Sequence, residues 1–218
     1  MKERAEKNIP IVLPIGSIEG HGAHLPISTD TMIACRVSDE LAERKGWTSL
    51  PPITYTIAVP ARIGNVNVSQ ETFGCYLKEI LQHFIDFGQK RFILILGHGG
   101  PDMKNAIGTA SRTLCEGGSV SISAFHVLRV LEDLRLVDQG LDRHAGEWET
   151  SLMLLMHSDL VGDVEIYGTP EEVKKYSIVG DPKKASEKKG GQYLESVLKK
   201  IERDIGTSEP HGFCSNWQ

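Results

Sequence analysis

The chain has 218 residues, 40% of them hydrophobic and 24% charged, with a formal net charge of −5. That balance suits one medium-sized globular domain and gives no cationic footprint for nucleic acid or for an anionic membrane surface. No apolar run reaches the ~20 residues needed to span a bilayer. The charged N-terminus MKERAEKNIP has no following apolar segment of signal-peptide type, so a cytoplasmic protein is expected. Cys35, Cys75, Cys115 and Cys214 are widely spaced and form no CxxC pair, which argues against a disulfide framework or a zinc knuckle. No linker-like stretch divides the chain, so residues 1–218 are expected to form a single domain.

Strand-like and helix-like segments alternate. Pro10 to Ile15 reads as a short strand ending at Gly16. Thr31 to Arg44 has helical spacing, with Ile33, Val37 and Leu41 on one face and Thr29 and Asp30 where an N-cap would stand. Trp47 to Ala58 contains a second strand, interrupted by Pro51 and Pro52. Ser69 opens a helix with a capping box that runs to about Gly88. Arg91 to Leu96, RFILIL, is continuously apolar, as in a strand covered on both faces. A helix from Pro101 to about Leu114, a strand from Ser119 to Phe125, a polar connection, a helix from Glu147 to His157 and a last helix from about Ala185 to Ile205 complete the pattern. This alternation predicts an α/β fold, a three-layer sandwich with a mostly parallel central sheet flanked by helices. Its chemistry should lie at the carboxyl ends of the strands.

Three stretches carry ligand-type side chains at those positions. Pro14 to Asp30, PIGSIEGHGAHLPISTD, sets Glu19, His21 and Asp30 in a Gly- and Pro-punctuated loop after the first strand. Carboxylate oxygen and imidazole nitrogen suit hard or borderline divalent metals. Residues i and i+2 of extended backbone share a face, so Glu19 and His21 can reach one centre. His98 stands in ILILGHGG, directly after a buried strand. His144, Glu147 and Glu149 lie in HAGEWETS at a helix start, where the two glutamates point about 200° apart and only one can enter a given site. Each stretch alone has an ordinary reading: a helix cap, a turn histidine, an acidic helix start. Together they point to one metal site. GHGGPD is neither a dinucleotide nor a P-loop signature. No GxSxG elbow or HExxH helix is present, so serine-hydrolase and zincin readings have no support.

With these stretches in view, the chain resembles the creatininase (creatinine amidohydrolase) family. LPIGSIEGHGAHLPISTD is similar to the family's LPxGSxEQHGPHLPxxTD, GHGGP from Gly97 to NGHGGN, HAGEWETS from His144 to HAGxxETS, and GDPKKASEKKG from Gly180 to GDPxxAxxEKG. The resemblance implies a layered α/β amidohydrolase with two divalent metal ions per chain (Zn, Mn or Fe) and often a homohexamer. It assigns Glu19, His21, Asp30 and His98 as metal ligands, with Asp30 bridging, and Glu149 as the remaining ligand. Glu149 and His144 are the implied catalytic residues, His144 as proton shuttle. Creatinine-cleaving members carry a glutamate two residues after the second-motif histidine, where this chain has Gly100. Gly20 and Ala23 replace the family's Gln and Pro. His126, Trp148, Gly99 and Gly100 are candidate substrate contacts. The expected function is hydrolysis of a C–N amide bond in a small-molecule substrate, cyclic amide or formamide. Creatinine hydrolysis proper, a peptidase-like maturation enzyme and a non-catalytic oligomeric metal-binding protein are the alternatives.

Overall fold

Five strands form one sheet: β1 (Ile11–Ile15), β2 (Thr48–Ser49), β3 (Arg91–Leu96), β4 (Ser121–His126) and β5 (Gly212–Ser215). They lie in the order β2-β1-β3-β4-β5, and every pairing is parallel. The structure, a computed structural model, describes residues 2–60, 64–137, 141–166, 178–207 and 212–215. The helices are α1 (Lys2–Glu6), α2 (Thr29–Lys45), α3 (Gln70–Asp86), α4 (Pro101–Cys115), α5 (Val127–Asp133), α6 (Glu147–His157) and α7 (Glu187–Thr207).

The continuous apolar runs of β1 and β3 are explained by helices on both faces of the sheet. On one face Val12, Ile93, Ile95 and Phe125 pack with Ile33, Val37 and Leu41 of α2, with α5 and α6, and with Val197, Leu198 and Ile201 of α7. On the other, Ile11, Leu13, Phe92, Leu94 and Ile122 pack with Phe73, Leu77 and Leu81 of α3 and with Met103, Ala106 and Ile107 of α4. Each fully buried Leu, Ile or Phe contributes about 1.5–3 kcal/mol relative to exposure. This is the three-layer α/β sandwich expected from the alternation.

The strand order determines where a site can form. β1 and β3 are neighbours, with Ile15 opposite Leu96. The chain leaves β1 for α2 on one face and leaves β3 for α4 on the other. The two loops therefore diverge and open a crevice at the carboxyl edge, the topological switch point where open α/β sheets bind ligands. Gly97, at the end of β3, passes so close to α2 that a Cβ there would stand 2.0 Å from the Asp30 carbonyl oxygen. Only glycine allows that approach, which brings the first turn of α2 against the β3 loop.

Several local expectations change. The segment Trp47 to Ala58 yields only the two-residue β2 and one bridge, Ile15 to Ile53, because Pro51 and Pro52 cannot donate to a ladder. The N-cap of α2 is Ser28, so Asp30 lies in the first turn rather than at the cap, and its carboxylate is available elsewhere. The α3 cap does form, Ser69 Oγ accepting from the Thr72 amide at 3.2 Å. α7 begins at Glu187, after a 3-10 turn at Pro182–Lys184. The connection after β4 contains α5, which buries Val127, Leu128, Val130 and Leu131. α1 and β5 carry too little periodicity to be read from sequence. Cys35 and Cys75 are free thiols.

Candidate metal centre

The loop from Gly16 to Ser28 is rigidly tied. The Glu19 amide donates to the Ile27 carbonyl (3.0 Å), the Val66 amide to the Ile18 carbonyl (3.0 Å) and the Gly20 amide to Asn65 Oδ1 (2.8 Å). His21 and Leu25 form an antiparallel bridge. These bonds fix the two side chains that the loop delivers, Glu19 and His21, both buried.

Asp30 is the centre of the arrangement and is 1% exposed. Its Oδ1 lies 3.2 Å from His21 Nε2, and its Oδ2 lies 3.1 Å from His98 Nδ1. Ser17 Oγ donates to the same Oδ2 at 2.6 Å. Glu19 Oε2 is 2.9 Å from His98 Nδ1, and Glu149 Oε1 is 3.5 Å from His21 Nε2. Three groups of possible ligands have their atoms within 4.8 Å of one another: Glu19–Asp30–His98 and His21–Asp30–Glu149, which share Asp30, and Glu19–His21–His144. Around Asp30, Glu19 pairs with His98 and His21 with Glu149, while Glu19 and His21 also meet each other beside His144. Glu149 enters the site, while Glu147 turns to α7, bonding Tyr193 Oη at 2.6 Å and Lys189 Nζ at 2.9 Å.

The electrostatics call for cations. His21 Nδ1–H donates to the Glu19 carbonyl (2.9 Å), so a neutral His21 presents the lone pair of Nε2 to two carboxylate oxygens. Such a cluster of acceptors is stable only with a proton or a metal ion among them. Burial alone would lower the pKa of His98, but its hydrogen bonds with Asp30 and Glu19 outweigh this and hold it at about 10. Burial likewise opposes charge on His21, yet Asp30 and Glu149 raise it well above the ordinary range. Against its own burial, Asp30 is held well below the usual carboxylate range by His21 and His98. Three carboxylates and two imidazoles of this kind, with one imidazole already oriented by a backbone carbonyl, fit divalent metal ions.

His144 flanks the centre. Its Nε2–H donates to the Gly20 carbonyl at 2.9 Å, leaving Nδ1 as the basic nitrogen, and its ring centroid lies 4.4 Å from that of His21. A cavity of about 760 Å³ opens over these residues. His126, Trp148, Gly99 and Gly100 all line it. His126 stands at the end of β4 with its ring over Gly99, where a Cβ would meet Cε1 at 2.5 Å. Burial, then the charge of His98, pushes His126 down to about 3, so it is a neutral ring. Trp148 both packs in the core and lines the cavity, and its Nε1 has no hydrogen-bond partner among the described residues.

Sequence reasoning missed the supports. Ser17 holds Asp30. His24, pushed down to about 4 by burial and by His21, meets Thr150 Oγ1 at 3.0 Å and so joins the first motif to the third. Ser151 Oγ accepts from the Ser186 amide at 3.1 Å, joining the third motif to the GDP stretch. The only signal for these was their place inside motifs that carry ligands.

The family model described as creatinine amidohydrolase matches residues 1–205. The chain belongs to the creatininase family. It is 30% identical over 162 residues to a mycofactocin precursor peptide peptidase of Mycobacterium ulcerans, a match covering 69% of this chain and 60% of that one. It is 28% identical over 173 residues to the creatinine amidohydrolase of Pseudomonas putida, covering 69% of this chain and 65% of the other. The chain therefore spans about 60% of the peptidase and 65% of the amidohydrolase. A crystal structure of a creatinine amidohydrolase superposes with a TM-score of 0.80 at 24% identity, covering 94% of this chain and 92% of that one, which establishes the shared creatininase-family fold. Solved creatininase structures include a manganese form and a Zn–Zn form.

Proposed function

We propose that this creatininase-family chain is a metal-dependent amidohydrolase that cleaves a C–N amide bond with water. The observation that carries this reading is Asp30, whose two oxygens each face a different imidazole–carboxylate group. Glu19, Asp30 and His98 would hold one divalent ion, and His21, Asp30 and Glu149 the other. When bound, two such ions polarise an amide carbonyl and bring the pKa of water toward ~7. Zinc, manganese and iron all suit a mixed oxygen and nitrogen ligand set.

The chain's own residues supply the rest. Ser17 and the Glu19 carbonyl fix the orientation of Asp30 and His21. His144, with Nε2–H committed to the Gly20 carbonyl, has Nδ1 free to accept a proton from water and return it to the leaving nitrogen. His126, neutral and over Gly99, offers a contact to the substrate without adding charge, and Trp148 offers an indole N–H. The reading extends to a homo-oligomer, as the family resemblance implies.

Gly100, where creatinine-cleaving members carry a glutamate, argues against creatinine itself. A small formamide or cyclic amide is the favoured substrate. The open cavity and the 30% identity to a peptide peptidase favour a short peptide as the second reading. Purified without added metal, the protein should carry about two divalent ions per chain. It should also hydrolyse at least one compound in a panel of formamides, cyclic amides, creatinine and short peptides. Protein that carries no metal, and hydrolyses none of the panel after loading with zinc or manganese, would overturn the proposal.

A further inference from the structure

The third motif depends on a residue outside it. α6 starts at Glu147, and its N-cap is Gly146, which has no side chain to offer. The first amides of any helix lack intrahelical partners. Here Asp142, four residues before the N-cap, folds back beneath the helix start. Its Oδ1 accepts from the Glu147 amide and its Oδ2 from the Trp148 amide, both at 2.9 Å. The carboxylate is buried, and backbone closes over it from two sides. A Cβ on Gly146 would stand 1.8 Å from Asp142 Oδ1, and one on Gly180 2.2 Å. Both positions must therefore be glycine, which gives the Gly180 of the GDP stretch a purpose.

The same fold-back shapes the segment that presents the site. His144 and Val179 exchange two backbone hydrogen bonds, at 3.0 and 2.8 Å, and lock the strand of chain above Asp142. Ala145 is held at φ 51°, a left-handed conformation rare outside glycine. In that conformation its N–H donates to Glu149 Oε2 through a short hydrogen bond. Glu149 Oε1 is thereby left to face His21 at 3.5 Å. Asp142 touches neither Glu19 nor His98, which hang from the β1 and β3 loops.

We propose that Asp142 is the positioning residue of one half of the centre: by capping α6 from below Gly146 and Gly180, it sets the Ala145 amide that aims Glu149. The inference rests on the dinuclear reading above and makes the two ion sites unequal in their dependence on this carboxylate.

The test is titration of the metal-free protein with Zn²⁺ against a chromophoric chelator, for the wild type, Asp142→Asn and Asp142→Ala, with circular dichroism recording the fold. Asn keeps the shape and one acceptor oxygen; Ala keeps neither. The first ion should bind all three proteins alike. The second should bind about 10–100-fold more weakly in the variants, the range typical for loss of a group that orients a metal ligand, and Ala should be affected more than Asn. Undiminished binding of both ions to the folded variants would overturn the role of Asp142 alone. Equal weakening of both ions, or loss of both together with the fold, would make Asp142 merely structural and also overturn it. Absence of any ion on the wild type would instead overturn the metal reading on which it stands.

Discussion

Asp30 Oδ1 lies 3.2 Å from His21 Nε2 while the other oxygen of the same carboxylate faces away toward the β3 loop. One side chain in the first turn of α2 thus belongs to both ligand groups. On the proposed metal reading, Asp30 is the side chain that would serve both ions.

Replacement of Asp30 by Ala is accordingly expected to remove both metal ions, whereas Glu149→Ala should remove one. Elemental analysis of the purified variants decides it. A full metal complement on Asp30→Ala would contradict the shared-ligand arrangement.

Metal binding must compete with protons, and the sign follows from the histidines. His98 has its pKa raised to about 10, and His21 is raised in the same direction. His98 therefore carries a proton at pH 7 in the metal-free protein, His21 is shifted in the same direction, and both must be neutral to bind a metal. Affinity should therefore rise with pH, by roughly tenfold per pH unit for each proton released. Calorimetry in buffers of different ionisation enthalpy should register net proton release on metal binding at pH 7, and none would contradict it. The same raised pKa stabilises the metal-free protein fully below the unfolded value near 6.5, and that stability is lost as pH rises through about 10. The melting temperature of metal-free protein should fall across that window, and metal-loaded protein should escape this fall.

His144→Ala should lower kcat by about 10²–10⁴-fold, the usual contribution of a positioned general acid–base group. Metal content should stay at the wild-type level. Loss of a metal ion on this substitution would reassign His144 as a ligand, a role its nearness to Glu19 and His21 makes geometrically available.

Thr150→Val tests the tie between the first and third motifs. The change conserves shape and removes the 3.0 Å hydrogen bond to His24 Nε2. It should cost about 0.5–1.5 kcal/mol, a modest drop in melting temperature in a thermal scan. An unchanged melting temperature would mean that this bond contributes nothing.

The sequence by itself determined the layers and the places along the chain where ligand-type side chains stand. Continuous apolar runs such as RFILIL can only be strands covered twice, and ligand-type residues directly after strands fall at the carboxyl edge whatever the exact topology. Glu19, His21, Asp30 and His98 were legible as candidates on that basis, His144 and one of Glu147 and Glu149 as a third ligand-type stretch at a helix start, and the choice of Glu149 only through the family resemblance. The tertiary structure alone decided the pairing. Which oxygen of Asp30 meets which imidazole, and why Glu149 rather than Glu147 turns inward, depend on contacts between residues far apart in the chain: Asp30 with His98, His21 with Glu149, Glu147 with Tyr193. Periodicity reports only neighbours along one element. Asp142 shows the limit most clearly, since a lone aspartate in a polar connection gives no sign in sequence that a helix start three residues beyond the third motif's histidine will settle onto its carboxylate.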